Sequence, residues 1–193
     1  MDTKGYHIIL GSGSPRRKEL LGELGFEFEV DTRNTFEEVY SEDTPQESIP
    51  EVLSEGKSLG FHRGLTDKEI LITSDTLVLC EGRVMGKPRD REDAADILKA
   101  LSGKSHKVIT AVTIRNSERM KTVSDTSIVH FKDLTDSEID YYIDNYRPFD
   151  KAGAYGIQEW IGYIGIDRIE GSYFTIMGLP VHRVYELLLE FIG

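Results

Sequence analysis

Arg16, Arg17 and Lys18 follow directly on Gly11-Ser12-Gly13-Ser14-Pro15, an order of residue types that suits phosphate chemistry. Ser14 is a good helix N-cap and Pro15 fits the first helical position, so the three cations fall in a helix's first turn. Cations there oppose the helix macrodipole, and the placement makes sense where a polyanion meets free N–H groups and guanidinium forks together. The plainer alternative is ordinary α/β punctuation with surface arginines. The stretch is not a P-loop, because Glu51 and Leu98 stand where the leading glycine of the two Gly-Lys-Ser triplets would have to be. Nor is it a dinucleotide fingerprint, since Arg16 occupies the third glycine position. A second chemical group is Ser74-Asp75-Thr76, set inside the apolar run from Ile70 to Cys80. A carboxylate there is costly unless it is hydrogen-bonded or faces a cleft; the alternative is an Asp capping a turn between two strands. Gln158 ends the small-residue stretch Asp150–Gln158 and offers a donor and an acceptor together, as reading a base edge requires.

These residues need elements to hold them. Tyr6–Leu10 reads as a strand leading into the turn, with Leu20, Leu21 and Leu24 as the inner face of the helix and Gly25 closing it. Phe26, Phe28 and Val30 alternate with glutamates as a half-buried strand. Asp31–Asp43 reads as an acidic loop carrying Glu37 and Glu38. Thr44 with Glu47, or Ser48 with Glu51, predicts the capping box of a helix carrying Lys57, which Gly56 and Gly60 weaken. Glu81-Gly82 predicts a hairpin, and Lys87 sits on a stiff loop before a helix capped by Asp90. Two long strands meet at Asn116-Ser117, and Thr135 with Glu138 opens another helix, which Pro148 stops. A turn-rich strand from Gly171 to Pro180 and a last amphipathic helix complete the chain. Alternating strands and helices, then long antiparallel runs, predict an α/β fold with a mixed sheet.

At 193 residues the chain is read as a single domain spanning residues 1–193, with a core of ordinary apolar content, 39%. No apolar run reaches the ~20 residues a bilayer requires, and the first residues lack a charged-then-apolar signal pattern. One cysteine, Cys80, leaves no internal disulfide framework and suits a reducing cytoplasm. A net charge of −11 disfavours long nucleic acid but leaves room for a small polyphosphate if a few cations converge. The histidines have no metal-ligand spacing, and Trp160 reads as packing.

In order, SGSPRRKELL, the Lys57 helix, SDTLV, GKPRD, KAGAYGIQ and GSY…GLP resemble the Maf (septum-formation) family of nucleoside triphosphate pyrophosphatases over nearly the whole chain. The resemblance implies an elongated α/β fold of the inosine triphosphate pyrophosphatase kind, with two lobes around a cleft. It implies hydrolysis of a nucleoside triphosphate to monophosphate and pyrophosphate with a divalent cation, Mg²⁺ or Mn²⁺. The KAGAYGIQ form is similar to the branch acting on dTTP and UTP. It implies Asp75 as proton acceptor, Arg16, Thr76 and Gln158 as the residues of base choice, and Ser12, Arg17, Lys57 and Lys87 as phosphate ligands. As a metal ligand Glu38 shares the cation with Asp75, for which the roles of proton acceptor and of metal ligand both stay open. Gly56 in the Lys57 helix and Glu159-Trp160 after Gln158, where a glycine is common, depart from the family pattern. Monomer and homodimer both stay open, as does a second reading, a nucleotide-sensing regulator without turnover.

Overall fold

The computed structural model describes residues 1–193. Its strands are β1 (His7–Leu10), β2 (Phe28–Val30), β3 (Glu69–Cys80), β4 (Arg83–Met85), β5 (Ser105–Arg115), β6 (Met120–Phe131) and β7 (Ile166–Glu170). The helices are α1 (Pro15–Glu23), α2 (Ile49–Leu59), α3 (Arg91–Leu101), α4 (Asp136–Tyr146), α5 (Trp160–Gly165), α6 (Tyr173–Met177) and α7 (Val181–Ile192). The strands form one seven-stranded mixed sheet in the order β2-β1-β3-β5-β6-β7, with β4 paired to β3. β1 is parallel to both neighbours, placing Ile8 opposite Phe28 and Ile70. A strand enclosed in this way is apolar where it is covered: Ile8, Ile9 and Leu10 are buried, and the exposed His7 stands at its start. β6 and β7 are antiparallel, with a bulge at His130/Phe131.

Two compact units emerge. The first comprises Met1–Asp75, Thr110–Asp125 and Gly178–Gly193; the second comprises Thr76–Ile109 and Thr126–Met177. The dividing point between Asp75 and Thr76 falls inside β3, a single uninterrupted strand, so Asp75 does not cap a turn between two strands.

Several expectations hold at atomic detail. Ser14 caps α1 through the Arg17 N–H, Asp90 caps α3 through the Asp93 N–H, and Thr135 with Glu138 forms a full capping box on α4. Glu81 and Gly82 both take positive φ between β3 and β4, as a two-residue hairpin of matching twist requires. Others do not hold. Neither capping box at the start of α2 forms: a 3-10 turn at Gln46–Ser48 precedes it, and Ser48 is already helical and makes no side-chain cap. The strand expected over Gly171–Pro180 is replaced by α6, bracketed by Gly171 and Gly178 at φ 104° and 107°. None of the expected elements corresponds to α5 or β7.

In the second unit, His106 is buried, its Nε2 2.8 Å from the Tyr155 hydroxyl, with the Phe131 and Tyr155 rings edge-on to it. Burial pushes its pKa down to about 4, with His130 adding a smaller push. The unfolded chain takes up that proton near pH 6.5 and the folded chain does not, so stability falls as pH drops from about 6.5 to about 4. This one residue contributes a slope of up to ~1.4 kcal/mol per pH unit, which His106→Gln should remove from a denaturation series across that range.

In the first unit, a Cβ on Gly60 would lie 2.6 Å from the Cβ of Phe36 and 2.9 Å from its backbone nitrogen. Backbone cannot yield cheaply, so Gly60→Ala should lower stability by ~1–3 kcal/mol in chemical denaturation. A change within a few tenths would contradict this close approach.

Candidate functional site

The first unit builds its site on β3 and α2. In β3, residues two apart share a face, so Thr73 and Asp75 point the same way; on α2, Ser54 and Lys57 lie one turn apart. The Thr73 hydroxyl donates to the Ser54 carbonyl at 2.8 Å, and the Ser54 hydroxyl returns a bond to the Thr73 carbonyl at 3.2 Å. The Ser54 hydroxyl also meets that of Thr113 on β5 at 2.9 Å. These bonds satisfy buried hydroxyls and fix the helix against the strand. One turn on from that tie, the Lys57 ammonium donates to Asp75 Oδ1 at 2.6 Å. Side-chain exposure is only 17% for Lys57 and 14% for Asp75, so the pair is shielded and each charge depends on the other.

Glu38 completes this charge cluster, its Oε1 3.0 Å from the Lys57 ammonium and its side chain 57% exposed. Its loop begins at Asp31, whose carboxylate accepts from the Arg33 main chain and guanidinium and meets His62 Nε2 at 3.0 Å. Those partners, Arg33 foremost, hold the Asp31 carboxyl well below the usual range. Further on, Asn34 donates to the Lys57 carbonyl at 2.6 Å, the Phe36 N–H donates to Asn34 Oδ1, and Thr35 N–H donates to the Gly60 carbonyl. Phe36 lies where a Cβ on Gly56 would be, 2.2 Å from that position. The two glycines that weaken α2 as a helix therefore seat the loop that carries Glu38 beside Lys57.

The Gly11–Ser14 turn approaches β3 closely: Gly11 N–H donates to the Ile72 carbonyl at 2.8 Å, and a Cβ on Gly11 would lie 2.9 Å from a Thr73 methyl. The Arg17 guanidinium turns inward. Its Nε donates to the Gly178 carbonyl at 2.8 Å, and its Nη1 to the Ser74 carbonyl at 2.9 Å and to Ser12 Oγ at 3.3 Å. Ser74 Oγ also donates to the Gly178 carbonyl. Arg17 thus ties the start of α1, the residue before Asp75 and the turn ahead of α7 together. Burial lowers its pKa, Asp75 and Glu38 pull it up, and Arg16 pushes it down, so all four groups lie within electrostatic reach. Arg16 itself is half-buried.

Thr76, Lys87 and Gln158 belong to the second unit. Thr76 follows Asp75 on β3, its side chain on the opposite face. Lys87 is exposed; beside it, the Gly86 carbonyl accepts the Gly153 N–H at 3.1 Å. Gly153 holds φ 73° with Val78 packed 3.1 Å from its Cβ position, so the Lys87 and Gln158 loops are fastened at a position that favours glycine. Gln158 is half-buried, and its Oε1 is enclosed without a hydrogen-bond partner. His182 stands 3.9 Å from Asp125, and Trp160 packs on the Tyr141 ring at 4.7 Å.

No group of three or more His, Cys, Asp or Glu side chains gathers to hold a metal ion. Asp75 and Glu38 do share one cation, the Lys57 ammonium. Two carboxylates completed by substrate phosphate oxygens and water are a donor set that suits Mg²⁺, so the residues present fit such an ion. No helix is long and apolar enough to cross a membrane.

The family model described as Maf-like protein matches residues 7–191. A dTTP/UTP pyrophosphatase of Porphyromonas gingivalis (strain ATCC BAA-308 / W83) is 48% identical over 192 residues, covering 98% of this chain and 96% of that protein. Proteins of the same description from Christiangramia forsetii and Phocaeicola vulgatus are 47% and 49% identical, covering 98% and 93% of this chain and 96% and 93% of their own lengths. Among solved structures, a HAM1 protein from Coxiella burnetii matches with TM-score 0.48 and 13% identity, over 96% of this chain and 99% of that one. With the family model spanning nearly all of the chain and relatives near half identity over nearly full length, the chain belongs to the Maf-like family.

Proposed function

We propose that this protein hydrolyses nucleoside triphosphates, with dTTP and UTP as its substrates, to the monophosphate and pyrophosphate. The observation that carries the reading is the shielded Asp75 carboxylate, held at 2.6 Å by Lys57 next to the turn that bears Arg16. The relatives described as dTTP/UTP pyrophosphatases support the substrate class.

The chemistry follows from the side chains. Water attacks the α-phosphorus, a new P–O bond forms, and the bond to the α–β bridging oxygen breaks. Pyrophosphate leaves with that oxygen, and Asp75 takes the proton of the attacking water. Arg16, Lys57 and Lys87 hold phosphate oxygens, with the Ser12 turn and the capped start of α1 as further donors. Arg17, whose Nε and Nη1 are bonded to the protein, keeps Ser74 and therefore Asp75 in place. Asp75 and Glu38 would hold a divalent cation, Mg²⁺ or Mn²⁺, whose charge would neutralise the leaving pyrophosphate. Thr76 and Gln158 choose the base; a hydrogen-bonding site that loses its partner rejects the wrong base strongly.

Purified protein with a panel of nucleoside triphosphates and Mg²⁺ should release pyrophosphate from dTTP and UTP, and EDTA should stop it. Saturable nucleotide binding without product would overturn the reading in favour of a sensor. Asp75→Asn keeps the shape but removes the proton acceptor, so kcat should fall ~10²–10⁴-fold with little change in nucleotide affinity. Equal turnover in this variant would overturn the assignment of Asp75.

A further inference from the structure

Gln158 is flanked by a closed circuit of hydrogen bonds in the second unit. The Gly156 N–H donates to the Tyr142 hydroxyl oxygen at 3.0 Å, and that hydroxyl donates to Glu159 Oε2. The Glu159 N–H in turn donates to the Gly156 carbonyl at 3.0 Å. Residues on both sides of the Ile157-Gln158 dipeptide are therefore fixed, Glu159 through both its side chain and its main chain. Glu159 Oε1 also pairs with the Lys151 ammonium at 3.1 Å, which a second carboxylate, Asp150, holds at 2.8 Å. Lys151 is only 9% exposed at its side chain, and removing Glu159 would leave it with one of its two carboxylates. Gly156 makes room for the arrangement, since a Cβ there would meet the Glu159 carboxylate carbon at 2.8 Å. None of these residues is needed to transfer a proton or hold a phosphate.

The chemistry of the bases gives this circuit a purpose. Uracil and thymine present a carbonyl at position 4 and an N–H at position 3; cytosine presents an amino group and a bare nitrogen, the same two sites with donor and acceptor exchanged. A glutamine amide that can turn over matches both edges, whereas one held in a single orientation matches one. The Gln158 Oε1, enclosed and without a partner, is an acceptor awaiting an N–H.

We propose that Glu159, clamped by Tyr142 and Lys151, is a positioning residue that fixes the Gln158 amide and so separates uracil and thymine nucleotides from cytosine nucleotides. This rests on the reading of Gln158 as the base-choosing residue.

The test is the ratio of kcat/KM for UTP to that for CTP. Glu159→Ala and Tyr142→Phe should each lower the ratio tenfold or more, mainly through KM, while kcat for UTP stays within about threefold. Glu159→Gln, which keeps an acceptor for the Tyr142 hydroxyl, should restore most of the ratio. Should Glu159→Ala fail to fold, Tyr142→Phe carries the same test. If Gln158→Ala collapses the ratio and neither Glu159→Ala nor Tyr142→Phe changes it, the positioning role is overturned and the base-reading role stands. If Gln158→Ala also leaves the ratio unchanged, base choice lies elsewhere and both readings fall.

Discussion

A carboxylate drawn into a shielded position must find a cation, and in this protein the first unit is arranged around that need. Asp75 has Lys57 at 2.6 Å, and neither side chain is more than 17% exposed. A lysine on a helix can meet an acid on a strand only if helix and strand are fixed in register. The reciprocal Ser54–Thr73 bonds supply that register one turn and two residues away. Glu38 then reaches the same ammonium because Gly56 and Gly60 let Phe36 lie against α2. Helix, strand and loop are thus linked through one ion pair and the contacts that aim it.

Arg17 resolves the conflict posed by cations at the start of α1. A guanidinium at that end works against the helix dipole, but its bonds to the Gly178 and Ser74 carbonyls satisfy buried acceptors, the first of which it shares with the Ser74 hydroxyl. It serves the site by holding the main chain next to Asp75. Arg16, its neighbour, is half-buried.

Much of this was legible from residue types and spacing. Ser14, Asp90 and the Thr135–Glu138 pair fixed helix starts because capping is local chemistry, and Glu81-Gly82 fixed a hairpin because its twist demands positive φ. The grouping of Ser12, Arg17, Lys57 and Asp75 came from the family resemblance, and the first unit does bring them together. What stayed hidden was set by tertiary contact. Gly56 and Gly60 read as helix weaknesses until the ring that fills their place is known; the i, i+4 pair of small residues was the available signal. Ser54 and Thr73 are ordinary buried hydroxyls until paired. Lys151 reads as part of a small-residue stretch and Glu159 as a departure, and nothing local marks Tyr142 as their partner, because the bonds among the three span up to 17 residues of sequence.

The most direct measurement is turnover of UTP in ¹⁸O-labelled water, with both products analysed by mass. Attack beside Asp75 on the α-phosphorus places one labelled oxygen in the monophosphate and none in pyrophosphate. Label found in pyrophosphate, with unlabelled monophosphate, would mean that water attacks the β-phosphorus and would contradict the account.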